Sequence, residues 1–209
     1  TPMASTRSAC NSKPLEDYGL IGNMISAALV GRDGSIDWLC LPRFDSGACL
    51  AALLGGPEHG RWSIAPEDAS AKTSRAYLSD TAVLETRFHT KDGEVAVIDF
   101  MPLTEDEDKV DIVRIVRGMR GETKMQMELV LRFNYGQAAP WVRRRDYGLS
   151  AIAGPDALEL HTAVPLQGRD MKTYASFTVR EGESVPFSLS YHPSHKMPQF
   201  VPDSSESLA

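Results

Sequence analysis

Trp38, Arg43, Phe44 and Asp45 are the residues of this chain whose types and spacing best suit chemistry. They fall at the end of an apolar run and in the segment that follows it. An indole can stack on the apolar face of a sugar ring, while a guanidinium and a carboxylate bond its hydroxyls. The plainer reading is that Trp38 packs in the core and Arg43 pairs with Asp45 to fix a loop. Both readings stand at this point, since an active-site cleft also needs a second wall.

Other candidates are weaker. The chain has 28 Asp and Glu residues, so some carboxylates will face each other by chance. Asp33 and Asp37 are the nearest to the Trp38 segment, but Asp33 is explained by a turn, and proximity alone is not a tuned acid–base pair. Glu105-Asp106-Glu107-Asp108 with Asp111 lacks the glycine of a calcium loop and reads as a solvated connection. His192 and His195 are three apart without a carboxylate or thiol at matching distance, so no metal ligand set is assigned. Cys10, Cys40 and Cys49 have no metal spacing; Cys40 and Cys49 sit in apolar runs and read as buried thiols. No phosphate-cradling loop or nucleophile elbow appears, and no cofactor is expected.

These residues must be positioned by strands. Apolar runs at 25–30 and 36–41 flank Arg32-Asp33-Gly34, a strong hairpin signal because Gly tolerates positive φ and Asp bonds its own backbone. Similar signals recur at Lys91-Asp92-Gly93, Arg120-Gly121-Glu122, Gly154-Pro155-Asp156 and Glu181-Gly182-Glu183. From Met125 to Phe133 apolar and polar residues alternate with a period of two. Five hairpins predict an all-β fold, a large antiparallel β-sandwich with few short helices. Residues 47–54 are expected to form two helical turns, and 65–75 a loop or short turn.

The 209 residues are 42% hydrophobic and 24% charged, with a net charge of −6. Those values suit a globular domain and argue against a nucleic-acid groove. Arg143-Arg144-Arg145 is the one dense basic run, read as a solvated face or local ion pair. No apolar run approaches the ~20 residues that span a bilayer, so no membrane partner is expected. The thiol usage suggests a cytoplasmic setting. Residues 1–13 read as a disordered or extraneous N-terminus, 14–197 as the sandwich, and 198–209 as a linker-like tail.

Two stretches carry a family resemblance. They are Glu16-Asp17-Tyr18-Gly19-Leu20-Ile21-Gly22-Asn23 and the fifteen residues from Arg32-Asp33-Gly34 through Trp38 to Pro42-Arg43-Phe44-Asp45-Ser46. Shorter echoes follow at Gly60-Arg61-Trp62, Val83-Leu84-Glu85-Thr86, Asp99-Phe100-Met101-Pro102 and Arg132-Phe133-Asn134-Tyr135-Gly136. Together they resemble the N-terminal domain of the glucoamylase and trehalase-type enzymes of glycoside hydrolase family fifteen. Asn134 stands where that pattern would have Asp. The resemblance implies a β-sandwich beside a helical-barrel catalytic domain, in cis or in trans. That partner would hold the two catalytic carboxylates of an inverting glycosidase. This chain carries neither the barrel nor that pair. The implied role is non-catalytic: bracing the partner and offering the loop with Trp38, Arg43, Phe44 and Asp45 to an α-glucoside. Alternatives are a free-standing domain that binds an oligo- or disaccharide, and an association module for a separately encoded catalytic partner.

Overall fold

The computed structural model describes residues 13–104, 106 and 109–196. Cys10, most of the acidic run 105–108 and the tail 198–209 lie outside the described residues.

Fifteen strands follow in order: β1 (Tyr18–Gly22), β2 (Ala27–Gly31), β3 (Ser35–Cys40), β4 (Ala48–Leu50), β5 (Arg61–Pro66), β6 (Lys72–Tyr77), β7 (Leu84–His89), β8 (Gly93–Phe100), β9 (Val110–Val130), β10 (Trp141–Arg145), β11 (Gly148–Ala153), β12 (Asp156–His161), β13 (Gln167–Arg169), β14 (Lys172–Arg180) and β15 (Ser184–Pro193). Helical structure among the described residues is limited to three single 3-10 turns, Leu15–Asp17, Ala52–Leu54 and Pro57–His59. The all-β expectation holds.

β9 organises the fold. Its first part, Val110–Arg117, lies between β8 and β15. Its second part, from Glu122 on, lies between β5 and β14. One sheet therefore runs β6-β7-β8-β9-β15-β12-β11-β10, and the other runs β1-β2-β3-β5-β9-β14-β13 with β4 on β3. The two sheets face each other across one core. Ile36, Trp62, Ile64 and Met127 come from one side, and Val95, Val97, Leu158 and Leu189 from the other. Phe177 and Phe187 meet across it at 5.4 Å between ring centroids.

Two of the five expected hairpins are something else. Arg120-Gly121-Glu122 does not reverse the chain, because β9 runs on as a single strand of 21 residues. Glu181-Gly182-Glu183 joins β14 and β15, which pair with different parts of β9 and not with each other. Both glycine sites form one corner where the chain changes sheets. Gly118 N–H donates to Glu183 O at 2.9 Å, Gly182 N–H to Gly118 O at 3.0 Å, and Glu181 N–H to Gly121 O at 2.9 Å. Glycine is needed there because a Cβ on Gly118 would sit 2.0 Å from Arg180 O. The signals at Gly34, Gly93 and Gly154 do close antiparallel pairs β2–β3, β7–β8 and β11–β12. The expected helix at 47–54 is instead strand β4 followed by a 3-10 turn, and the expected loop at 65–75 contains the start of β6.

Candidate functional site: the loop after β3

The β2–β3 register steps from Val30–Ile36 to Leu29–Trp38, so β3 takes in one extra residue, Asp37. Such a bulge resets the alternation of side chains. Ile36 and Leu39 join the main core, whereas Trp38 and Cys40 form a smaller cluster with Ala48 and Ala51. Trp38 is half-buried, and its ring lies 6.0 Å from that of Tyr135, tilted by 39°.

Beyond β3 the chain turns out into solvent. Arg43 N–H donates to Ser46 Oγ at 3.1 Å, and Ser46 N–H returns to Arg43 O at 3.1 Å. Phe44 N–H donates to Ile25 O at 3.2 Å, tying the loop to the β1–β2 turn. That turn is itself held by Asn23, whose Oδ1 accepts from Ile25 N and Ser26 N at 3.1 and 3.0 Å. Ser26 Oγ caps the end of β3 by donating to Cys40 O. On this fixed backbone Arg43 Nε meets Asp45 Oδ1 at 3.1 Å, both side chains exposed, and Phe44 is 60% exposed.

Arg43, Phe44 and Asp45 thus come together around a shallow hollow of about 230 Å³, with Met24 and Ile25 as its other wall. Trp38 does not line that hollow. Met24, Ile25 and Tyr135 were not among the sequence candidates. Tyr135 was nonetheless visible inside the Arg132–Gly136 echo. Asn134 and Tyr135 both have positive φ, 51° and 58°, and Asn134 Nδ2 donates to Gln137 Oε1 at 3.1 Å. Asn tolerates that left-handed backbone well, which gives it a structural role at this position. The turn packs on the far side of the loop, with Tyr135 N–H on Ala48 O at 3.0 Å.

Asp33 and Asp37 are already engaged. Lys13 Nζ reaches Asp33 Oδ1 at 2.6 Å, Ser35 Oγ at 2.5 Å and Asp37 Oδ2 at 2.7 Å, and Tyr18 donates to Asp37 Oδ2 at 2.8 Å. Burial would raise the Asp33 carboxyl, but the Lys13 hydrogen bond and charge outweigh it and hold the group below its usual range. Burial, then the bond to Asp37, pushes the Tyr18 phenol up. One ammonium thus clamps both carboxylates, which ties them into a fixed structural contact.

The imidazoles do not converge. His192 Nε2 lies 3.3 Å from Glu159 Oε1, while His195 is exposed. Glu159 also accepts from Tyr147 at 2.9 Å and Ser150 at 2.8 Å. Among the described residues no group of three His, Cys, Asp or Glu side chains is arranged to hold a metal ion. Cys40 and Cys49 are free and buried, and burial pushes both thiols up. No described helix is long and apolar enough to cross a membrane.

The fold and loop define an antiparallel β-sandwich domain that presents a hydrogen-bonded polar and aromatic loop to solvent. Residues 8–172 match the family of trehalase-like N-terminal domains, and the chain belongs to that family. Trehalase 1 of Sulfolobus acidocaldarius is 36% identical over 155 residues, covering 73% of this chain and 25% of that protein. The trehalase of Thermoplasma volcanium is 30% identical over 159 residues, with the same coverage of 73% and 25%. The trehalase of Mycolicibacterium smegmatis is 26% identical over 223 aligned positions, covering 93% of this chain and 33% of that one. The chain spans between a quarter and a third of the length of these relatives.

Proposed function

We propose that this chain serves as the non-catalytic N-terminal domain of a glycosidase acting on α-linked glucosides of the trehalose kind. In this reading residues 14–197 are the sandwich unit. The domain braces a helical-barrel catalytic domain, supplied in cis or in trans, and lends Arg43, Phe44 and Asp45 to the rim of its cleft, with Trp38 behind them. One observation carries the reading. The loop offers a guanidinium, an aromatic ring and a carboxylate to solvent on a backbone fixed by three hydrogen bonds, Arg43 N–H to Ser46, Ser46 N–H to Arg43 and Phe44 N–H to Ile25, while the carboxylates Asp33 and Asp37 are held by Lys13. Such a loop can position a sugar hydroxyl but cannot supply the acid and base of hydrolysis. The relatives named as trehalases support the substrate class. The free Cys40 and Cys49 suit a cytoplasmic setting.

The test is glucose release from trehalose and maltose by the purified chain, alone and together with a separately expressed helical catalytic domain. The chain alone is expected to be inactive. In the assembled enzyme Arg43→Ala should lower kcat/KM by about tenfold, the loss of one charge-assisted hydrogen bond. Sustained turnover by the chain alone, abolished by Asp37→Asn, would overturn the proposal.

A further inference from the structure

The sandwich is open along one flank. β10 pairs with β11 alone and β13 pairs with β14 alone, so each ends its sheet with a free edge. All residues of both strands are exposed. Between these edges lies a groove of about 610 Å³ where the interior reaches the surface through Leu129, Leu131, Leu149 and Leu166. Trp141, 73% exposed, and Met171, 66% exposed, stand at its mouth. Large apolar side chains gathered around an unclosed core mark a contact surface, whereas single exposed ones do not.

The polar chemistry of the groove has one sign. Its charged lining residues are Arg132, Arg144 and Lys172, and no carboxylate lines it. Arg132 donates to the carbonyls of Leu131 and Met171, at 2.7 and 3.2 Å, and Lys172 pairs with Glu128 at 3.3 Å. Arg144 has no carboxylate partner among the described residues. Arg143 lies over the Trp141 ring at 5.5 Å, holding the indole in place. A positive rim on a chain of net charge −6 is a local feature of this flank and not of the whole surface.

We propose that this flank takes an extended segment of a partner polypeptide, in which Asp or Glu alternates with apolar residues. Its backbone would continue the sheet from the free edge of β10. Its apolar side chains would cover Leu131 and Leu149 on the face that Arg144 shares, since Arg144 and Leu149 are cross-strand partners, and its carboxylates would meet Arg143 and Arg145 on the other face. A strand has the right form because its side chains alternate between two faces, one toward the groove and one toward the rim. A second copy of this chain pairing through β10 is disfavoured, because it would bring two arginine triplets onto one short ribbon. The inference concerns a different surface from the loop after β3 and does not depend on the glycosidase reading.

The experiment titrates the purified chain with a short synthetic peptide alternating Glu with Val and Leu. Tryptophan fluorescence reports binding, with Trp141→Phe identifying the signal, and amide exchange is followed along β10. Binding should slow exchange at Trp141–Arg145 and be about tenfold tighter than for the same peptide with Lys in place of Glu, a ratio expected of a few partly exposed charge pairs. Arg143→Glu combined with Arg145→Glu should reverse that preference. A peptide N-methylated at alternate residues, which cannot donate to a strand edge, should not bind, and this control needs no variant of the protein to fold. Absence of binding, equal binding of the Lys peptide, or unimpaired binding of the N-methylated one would overturn the proposal. So would equivalent protection of β10 by inorganic polyphosphate or anionic phospholipid vesicles. A stable dimer that buries Trp141 would assign the flank to a second copy instead.

Discussion

Arg114 holds its guanidinium in the centre of the molecule with no solvent contact. It binds Asp99 through Nε at 2.7 Å and a second nitrogen at 3.3 Å, and reaches the carbonyls of Trp62 at 2.8 Å and Gly34 at 2.7 Å. The ring of Trp62 lies 5.0 Å away. One side chain on β9 therefore fixes β8, β5 and the β2–β3 turn, where β3 begins, the strand whose far end carries the candidate loop. Removing one member of a buried pair leaves an uncompensated charge. Asp99→Ala should thus cost about 3–5 kcal/mol in urea unfolding, and adding Arg114→Met should recover much of the loss. A loss below about 1 kcal/mol for the single change would contradict this account. Asp99 was legible in the sequence only as part of a short family echo. Its partner, on the adjacent strand, was not, because strand register decides which residues meet.

At the scale of elements, the chain changes sheets at a corner built from Gly118, Gly121 and the β14–β15 turn. Gly118→Ala would drive a methyl group into the backbone carbonyl of Arg180. A backbone atom cannot rotate away as a side chain can, so the expected cost is about 3 kcal/mol, at the upper end of overpacking. Gly168→Ala, with nothing within 4 Å of its would-be Cβ, is the control and should lie within about 0.5 kcal/mol of the parent. Urea midpoints at constant slope check both. The hairpins at Asp33-Gly34, Asp92-Gly93 and Asp156 were readable because the turn and its strands are local. The corner was not, since a glycine that turns a chain back and one that bends it between sheets satisfy the same backbone need. The bulge at Asp37 was hidden for a related reason: simple alternation puts Trp38 on the face of Ile36, and the inserted residue moves it to the other.

For the whole molecule, acid should loosen the fold in two stages. Burial holds the His161 imidazole below its ordinary value of 6.5, so the folded state favours the neutral ring. Its contribution is complete above that ordinary value and declines as pH falls below it. Glu128 is held below its ordinary value of 4.5: burial opposes this, but Arg61 at 2.8 Å and Lys172 outweigh it. Asp33, beside Lys13, is likewise lowered from 3.8. Their contributions are present above those ordinary values and lost as pH falls through the lowered ones. Stability measured against pH should therefore show one decline beginning near 6.5 and a second in the carboxylate range. His161→Gln should flatten the first alone. By itself the sequence determined the all-β class, the alternating strands, three of the hairpins, the buried thiols and the family, because each is written in local periodicity, turn chemistry or contiguous motif. Only the tertiary structure decided that β9 joins both sheets, that Arg114 and Asp99 meet, that Lys13 engages Asp33 and Asp37, and that Met24 walls the hollow of Arg43, Phe44 and Asp45. Those are pairings between residues distant in the chain, and they exist only once strand order and register bring the residues face to face.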